Sequence, residues 1–294
     1  MKKLMSVFPC VCLAAAIGVG GTAAAKDGGA SRDEDGGRDR DSALVLGDSV
    51  PFAFIASAGF EYINPDNFHG FADDLDDKLP LDTVDAACPG ETTSSFLSAT
   101  GPDNGCRAFR AHFPLHVAYN ATQLQFAQAF LKQHRDVRLI TITLGANDGF
   151  LLEASCASQA DPATCIAAGV PTLLATVEHN MQTILADLRA TGFGGTIIIT
   201  NYYSVDYSDA AGTGLTALLN GAIKAPAAAF GAVVADLFTA FQAVATQPAF
   251  GGKTCNAGLL NASVSNQLLC DVHPSQSGHR LIARTIARTF RAVN

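Results

Sequence analysis

Positive charge is what this chain most lacks in any concentrated form. Its 19 lysines and arginines are outnumbered by 27 aspartates and glutamates over 294 residues, the net charge is -8, and no Lys/Arg stripe runs along any segment. Nucleic acid and anionic membrane surfaces both favour clustered positive charge, so neither is expected as the main partner. Small or neutral substrates remain. Several chemistry-bearing strings are missing too. There is no C-x-x-C redox pair, no cysteine/histidine spacing suited to structural zinc, no H-E-x-x-H and no G-x-S-x-G. The run Gly212-Thr213-Gly214-Leu215-Thr216-Ala217 is a loose dinucleotide string, but no apolar strand leads into it, and that motif requires one. No cofactor and no metal are therefore expected.

The chain opens with Met1-Lys2-Lys3, then an apolar run through Phe8, Leu13 and Ile17 that ends in Thr22-Ala23-Ala24-Ala25. A basic start, a short apolar middle and a small-residue end make a secretory signal peptide over 1–25, cleaved after Ala25. A retained membrane anchor needs ~20 apolar residues, and Pro9, Gly18, Gly20 and Gly21 break this run. No integral membrane segment is expected in the mature chain. Residues 26–41 are Gly, Asp and Arg with almost nothing apolar, the composition of a disordered leader. One folded domain over 42–294 should follow.

Removal of the signal peptide takes Cys10 and Cys12 with it and leaves six cysteines. An even count in an exported chain reads as disulfides. Their grouping along the chain suggests Cys88 with Cys106, Cys156 with Cys165, and Cys255 with Cys270. The protein is expected to be secreted, either to the periplasm or outside the cell.

Hydrophobic residues make up 48% of the chain, enough for a sizeable core. Ser42–Leu46, Val137–Leu144, Thr196–Thr200 and Ala232–Leu237 are short apolar runs, with Thr83–Ala87 a weaker one. Near-continuous apolar strands suit a parallel sheet buried on both faces. Between them, Ala121–His134 and Pro171–Ala190 repeat apolar residues at helical spacing, with Pro171 placed to open its helix. Leu215–Phe230 carries Pro226, which should kink or end it. Gly278–Val293 reads as a C-terminal helix with Leu281, Ile282, Ile286 and Phe290 on one side. The alternation predicts a doubly wound, three-layer α/β/α domain with a flavodoxin-like parallel sheet. Reactive groups in such folds sit beyond the carboxyl ends of the strands.

Gly47-Asp48-Ser49-Val50 follows the first strand, ahead of a helix expected from Pro51. That turn would place the Ser49 hydroxyl near backbone N–H groups that can stabilise negative charge. Alone, such a serine is more often a helix cap. Three further segments reach the same sheet edge: Cys88-Pro89-Gly90-Glu91-Thr92, Gly145-Ala146-Asn147-Asp148 and Asp271-Val272-His273-Pro274. Together the four segments resemble the sequence blocks of the SGNH or GDSL hydrolase family, in the family's order, over Ser42 to Asn294.

The resemblance implies an SGNH hydrolase fold and cleavage of carboxylic esters by an esterase or lipase mechanism. Ser49 would attack the carbonyl and His273 would act as its base. The backbone N–H groups of Ser49 and Gly90 and the side-chain amide of Asn147 would hold the oxyanion. The family usually places its acid three residues before the histidine, whereas Asp271 is two before His273. In an extended segment those two side chains share a face, so Asp271 can still orient the imidazole. The backbone carbonyl of Cys270 is the other candidate for that task.

Other residues read as structural. His279 is expected to cap or pack, His69, His112, His116, His134 and His179 lack partners at ligand spacing, and Asp48 and Asp148 are expected to shape loops. Phe52, Phe54, Phe60, Tyr62, Phe68 and Phe71 could line an acyl site or simply fill the core. The substrate could be a small-molecule, lipid or glycan ester, the last making the protein a carbohydrate O-acetyl esterase. A non-catalytic secreted binding protein on the same fold is the alternative that intact Ser49, Gly90, Asn147 and His273 argue against. A flavodoxin-like redox protein would need a phosphate-cradling loop that is not there.

Overall fold

The computed structural model describes residues 40–263 and 270–294. The expected signal peptide over 1–25 and nearly all of the expected leader over 26–41 lie outside the described residues. The elements in chain order are β1 (Asp41–Gly47), α1 (Phe71–Asp76), β2 (Leu81–Asp85), α2 (Thr93–Leu97), α3 (Cys106–His112), α4 (Gln123–Gln133), β3 (Val137–Thr143), α5 (Ala146–Cys156) and α6 (Pro162–Ala190). They continue with β4 (Thr196–Thr200), α7 (Ala210–Lys224), β5 (Ala232–Ala235), α8 (Leu237–Ala245), β6 (Leu260–Ala262), β7 (Cys270–Pro274) and α9 (Gln276–Val293).

Five strands form one parallel sheet in the order β2-β1-β3-β4-β5. Successive residues of a strand point to opposite faces, and Leu44, Val45 and Leu46 are all fully buried, as are Ile197, Ile198 and Ile199. Both faces of the sheet are therefore covered. Helices α1, α8 and α9 pack together as one group, and α2, α4, α5, α6 and α7 as another, giving the α/β/α layering. Helix α9 shows why it docks. Ile282, Ala283, Ile286 and Ala287 are buried while Arg280, Arg284, Arg288 and Arg291, at three- and four-residue steps, face outward. The Ser275 side chain caps its first turn by accepting from Gly278 N–H.

Four local expectations need correction. The strand β1 already includes Asp41, assigned from sequence to the leader, because that residue pairs with Leu81 and takes an ion pair from Arg138 at 3.0 Å. No helix grows from Pro51: a single turn, closed by Phe54 N–H to Ser49 O at 3.0 Å, stops at Ala53, whose φ of 62° lies outside the helical region. Helix α6 starts at Pro162 with Asp161 as its cap, so Pro171 sits inside the helix and only its own missing N–H is lost. The helix expected from Leu215 begins earlier, at Ala210; it ends at Lys224, just before Pro226 as expected, and Pro226 leads into a short 3-10 turn over Ala227–Phe230. The loose glycine string at 212–217 thus lies within α7 and forms no phosphate loop.

Outside the main sheet, β6 and β7 pair antiparallel. The sulfurs of Cys255 and Cys270 are joined at the base of this ribbon, those of Cys88 and Cys106 join the loop after β2 to α3, and those of Cys156 and Cys165 join α5 to α6. No helix among the described residues is long and apolar enough to cross a membrane.

Candidate active site

The carboxyl ends of β1, β2 and β3 and the ribbon strand β7 bring the sequence-selected residues to one place. Gly47 ends β1 with φ 140°, and a Cβ there would lie 2.2 Å from Thr143 O, so only glycine lets this strand turn against β3. Asp48 follows, buried. Its carboxylate accepts from Val50 N–H at 2.9 Å and from the Tyr202 hydroxyl, pinning the turn that presents Ser49. Burial pushes the Asp48 carboxyl up to about 6 against the pull of these two hydrogen bonds.

Ser49 Oγ lies 3.0 Å from His273 Nε2, hydrogen-bond distance across 224 residues of sequence. His273 is carried by β7 and held in place through its neighbour: the Tyr203 hydroxyl donates to Val272 O at 2.6 Å. Asp271 Oδ1 accepts from the His273 backbone N–H at 2.6 Å and lies 3.4 Å from His273 Nδ1, with both side chains largely buried. Neither Nδ1 nor Asp271 Oδ2 has a hydrogen-bond partner among the described residues. Neither candidate thus makes a hydrogen bond to Nδ1, and Asp271 Oδ1 is the carboxylate oxygen that lies 3.4 Å from it.

Gly90 has φ 86°, and a Cβ on it would lie 2.4 Å from Asn104 O, so glycine is required where this loop folds back. Ser49 and Gly90 N–H groups have no acceptor among the described residues. Asn147, in the first turn of α5, is buried, and its amide is fixed at both ends: Nδ2 donates to Glu91 O at 2.9 Å and Oδ1 accepts from Asn104 at 2.8 Å. One N–H of that amide stays unspent. Asp148 accepts from Thr93 N–H at 2.9 Å and its hydroxyl at 2.6 Å, locking α5 to α2.

Sequence reasoning missed several neighbours. Tyr202 and Tyr203 come one residue after β4 at the carboxyl edge, a position that by itself flags site residues. Gln123, fully buried at the start of α4, bonds Gly47 on both sides, and Glu91 was noted only as part of its segment. Glu91 also sits beside the sulfurs of Cys88 and Cys106, but these are joined to each other and offer no thiolate to a metal. His279 is buried against Phe71, and burial lowers its imidazole to about 4, so it is neutral at pH 7. The aromatic segment divides: Phe52, Tyr62, Phe68 and Phe71 are buried core, Phe60 is exposed, and half-buried Phe54 lies 4.9 Å from the His273 ring.

Comparison with known structures agrees with this architecture. The fold is similar to an α/β hydrolase from the metagenome of Lake Arreo, Spain, at 15% identity and a TM-score of 0.52, covering 86% of this chain and 96% of that one. An acetylxylan esterase from Geobacillus stearothermophilus is similar at 13% identity and a TM-score of 0.52, with 85% and 94% covered. A phospholipase A1 from Streptomyces albidoflavus is similar at 18% identity and a TM-score of 0.51, with 84% and 99% covered. No curated protein matches by sequence. The model of the GDSL-like lipase/acylhydrolase family matches residues 45–281, a stretch that contains every residue of the site above. The chain therefore belongs to the GDSL-like lipase/acylhydrolase family and is an ester-cleaving hydrolase.

Proposed function

We propose that this hydrolase works through an acyl-enzyme on Ser49, with His273 as general base and Asp271 as the group that orients it. The observation that carries the reading is the 3.0 Å contact between Ser49 Oγ and His273 Nε2 at the carboxyl edge of the sheet. Nε2 takes the hydroxyl proton as Ser49 attacks the ester carbonyl, then returns it to the leaving alcohol. Water hydrolyses the acyl-enzyme by the same route. Negative charge on the tetrahedral intermediate falls to the N–H groups of Ser49 and Gly90 and the free N–H of Asn147. The Asp271 carboxylate, 3.4 Å from Nδ1, stabilises the imidazolium that forms. Phe54 beside His273 gives the acyl side of the substrate an apolar wall. The protein acts after export, a reading supported by the three joined cysteine pairs.

A fluorophosphonate probe and a set of p-nitrophenyl esters of increasing acyl length, run beside an acetylated glycan, test this directly. Wild-type protein should label and turn over at least one ester class. Ser49→Ala should do neither while melting at nearly the wild-type temperature, because the hydroxyl does chemistry and little packing. Turnover retained by Ser49→Ala would refute the assignment.

A further inference from the structure

A hydrogen-bonded chain of buried side chains runs behind the proposed oxyanion site, bonded to Gly47 two residues before Ser49 and passing through Glu91, which follows Gly90 and holds Asn147. It starts at the Gln123 amide. Oε1 accepts the Gly47 N–H at 2.6 Å and Nε2 donates to the Gly47 carbonyl at 3.0 Å, so one side chain holds both polar groups of the residue two before Ser49. The same Nε2 also donates to Glu91 Oε2 at 3.2 Å. The other carboxyl oxygen of Glu91 accepts from the Ser95 hydroxyl in α2. Through its backbone, Glu91 follows Gly90 directly, donates its N–H to Cys88 O at 3.1 Å and accepts the Asn147 amide at 2.9 Å. Gln123, Glu91 and Asn147 are all buried, at 0%, 2% and 4% exposure.

We infer that Gln123 and Glu91 are positioning residues that set the mutual placement of the Ser49, Gly90 and Asn147 donors. The inference rests on the serine mechanism proposed above. Neither side chain touches the substrate. Their effect is on the geometry of three donors, and donor geometry matters most when the oxyanion forms, because its hydrogen bonds strengthen in the transition state. An apolar residue of similar size at position 91 would fill the same space without having to bury a carboxyl group. The Glu91 carboxyl ties Gln123 to Ser95 in α2, and its backbone carbonyl holds the Asn147 amide, so the carboxyl fixes the segment on which Asn147 rests. The same network seen as packing alone predicts lost stability with kcat and KM unmoved in the surviving folded enzyme.

The experiment measures kcat and KM on one p-nitrophenyl ester for Gln123→Met, Glu91→Leu, Glu91→Gln and Asn147→Ala, and for Gln123→Met combined with Asn147→Ala. Gln123→Met keeps chain length and removes both partners of Gly47. It should lower kcat about tenfold to a hundredfold, less than deletion of a donor outright, with KM changed by less than about twofold. Glu91→Leu should lower kcat in the same way, and Glu91→Gln, which keeps an oxygen for the Gln123 amide, should recover most of that loss. Because Gln123 acts partly through Asn147, the double variant should lose less than the product of the two single losses. If Gln123→Met does not fold, Gln123→Glu, which keeps the acceptor for Gly47 N–H and removes the donor, is read by the same criteria. A folded Gln123 variant with kcat within twofold of wild type, or full additivity with Asn147→Ala, overturns the inference. If Ser49→Ala retains turnover, the serine mechanism itself falls; if Ser49→Ala is inactive and only the Gln123 and Glu91 variants behave as wild type, the positioning role alone falls.

Discussion

Glu91 gives the sharpest link between burial and a measurable pH effect. Burial pushes its carboxyl from 4.5 up to about 7, opposed by hydrogen bonds from Ser95 and Gln123 and by the charge of Arg110, with Asp103 adding slightly to the rise. A folded-state value above the unfolded one means that the native state binds the proton more tightly. Between pH 4.5 and about 7 the unfolded chain releases that proton while the native one keeps it, so stability falls as pH rises through this window. Once the group is ionised in both states, the native state has lost about 3 kcal/mol. Glu91→Gln fits the same space and does not titrate. Urea unfolding of both proteins at pH 4 and pH 8, with disulfides intact, isolates the effect, because all other carboxylates cancel in the difference. The stability of Glu91→Gln relative to wild type should rise by about 3 kcal/mol from the lower to the higher pH. A relative stability that does not change with pH would show that the hydrogen bonds of Glu91 cancel the effect of its burial, and one that falls that they outweigh it; either refutes the reasoning.

Two further substitutions probe the mechanism. Asp271→Asn should lower kcat by up to ~10⁴-fold by favouring the wrong histidine tautomer, following the serine protease precedent; a loss under tenfold with His273→Ala inactive would remove Asp271 from the triad. Asn147→Ala should lower kcat on the order of a hundredfold to a thousandfold and leave KM nearly unchanged, as expected of a donor that acts in the transition state; a change confined to KM would move Asn147 to substrate binding.

The sheet was legible because a strand buried on both faces must be apolar at consecutive positions, and Leu44–Leu46 and Ile197–Ile199 are. The carboxyl-edge rule then put the segments that carry Ser49, Gly90 and Asn147 at one edge, and the family resemblance picked out those residues within them. The short strand β6 carried no such signal. Leu260–Ala262 is too brief to show periodicity, and its pairing with β7 is set by the chain around it. Pro171 misled for a different reason, whereas Pro226 ended its helix as expected. Pro171 is favoured at the first turn of a helix and costs about 3 kcal/mol inside one, so the sequence pointed to a start there, and the true start at Pro162, capped by Asp161, lay one proline earlier. The turn after Ser49 had helical composition, but Ala53 leaves the helical region as the chain bends into the aromatic cluster around Phe52. Least legible were Gln123 and Glu91. Their roles depend on the start of α4 meeting the end of β1 across 76 residues, a juxtaposition that no local pattern encodes.

The two halves of the proposed catalytic pair are held by different means, and that asymmetry says where precision is vulnerable. Ser49 follows β1, an interior strand paired on both sides by β2 and β3, so its position is set by the hydrogen-bonded sheet. His273 comes from β7, outside that sheet, in a two-stranded ribbon. A ribbon of this size is marginal by itself. Its position relies on tethers: the Tyr203 hydroxyl on Val272 O at 2.6 Å, Ser275 N–H on Leu259 O at 2.9 Å, and the Cys255–Cys270 link. Tyr202 and Tyr203, adjacent to each other just past β4, therefore divide the work, one bracing the nucleophile turn through Asp48 and the other bracing the base through Val272. The main-sheet framework thus extends to the imidazole through a side chain where no strand pairing reaches it, and loosening that side chain would move the base while leaving the nucleophile where it is.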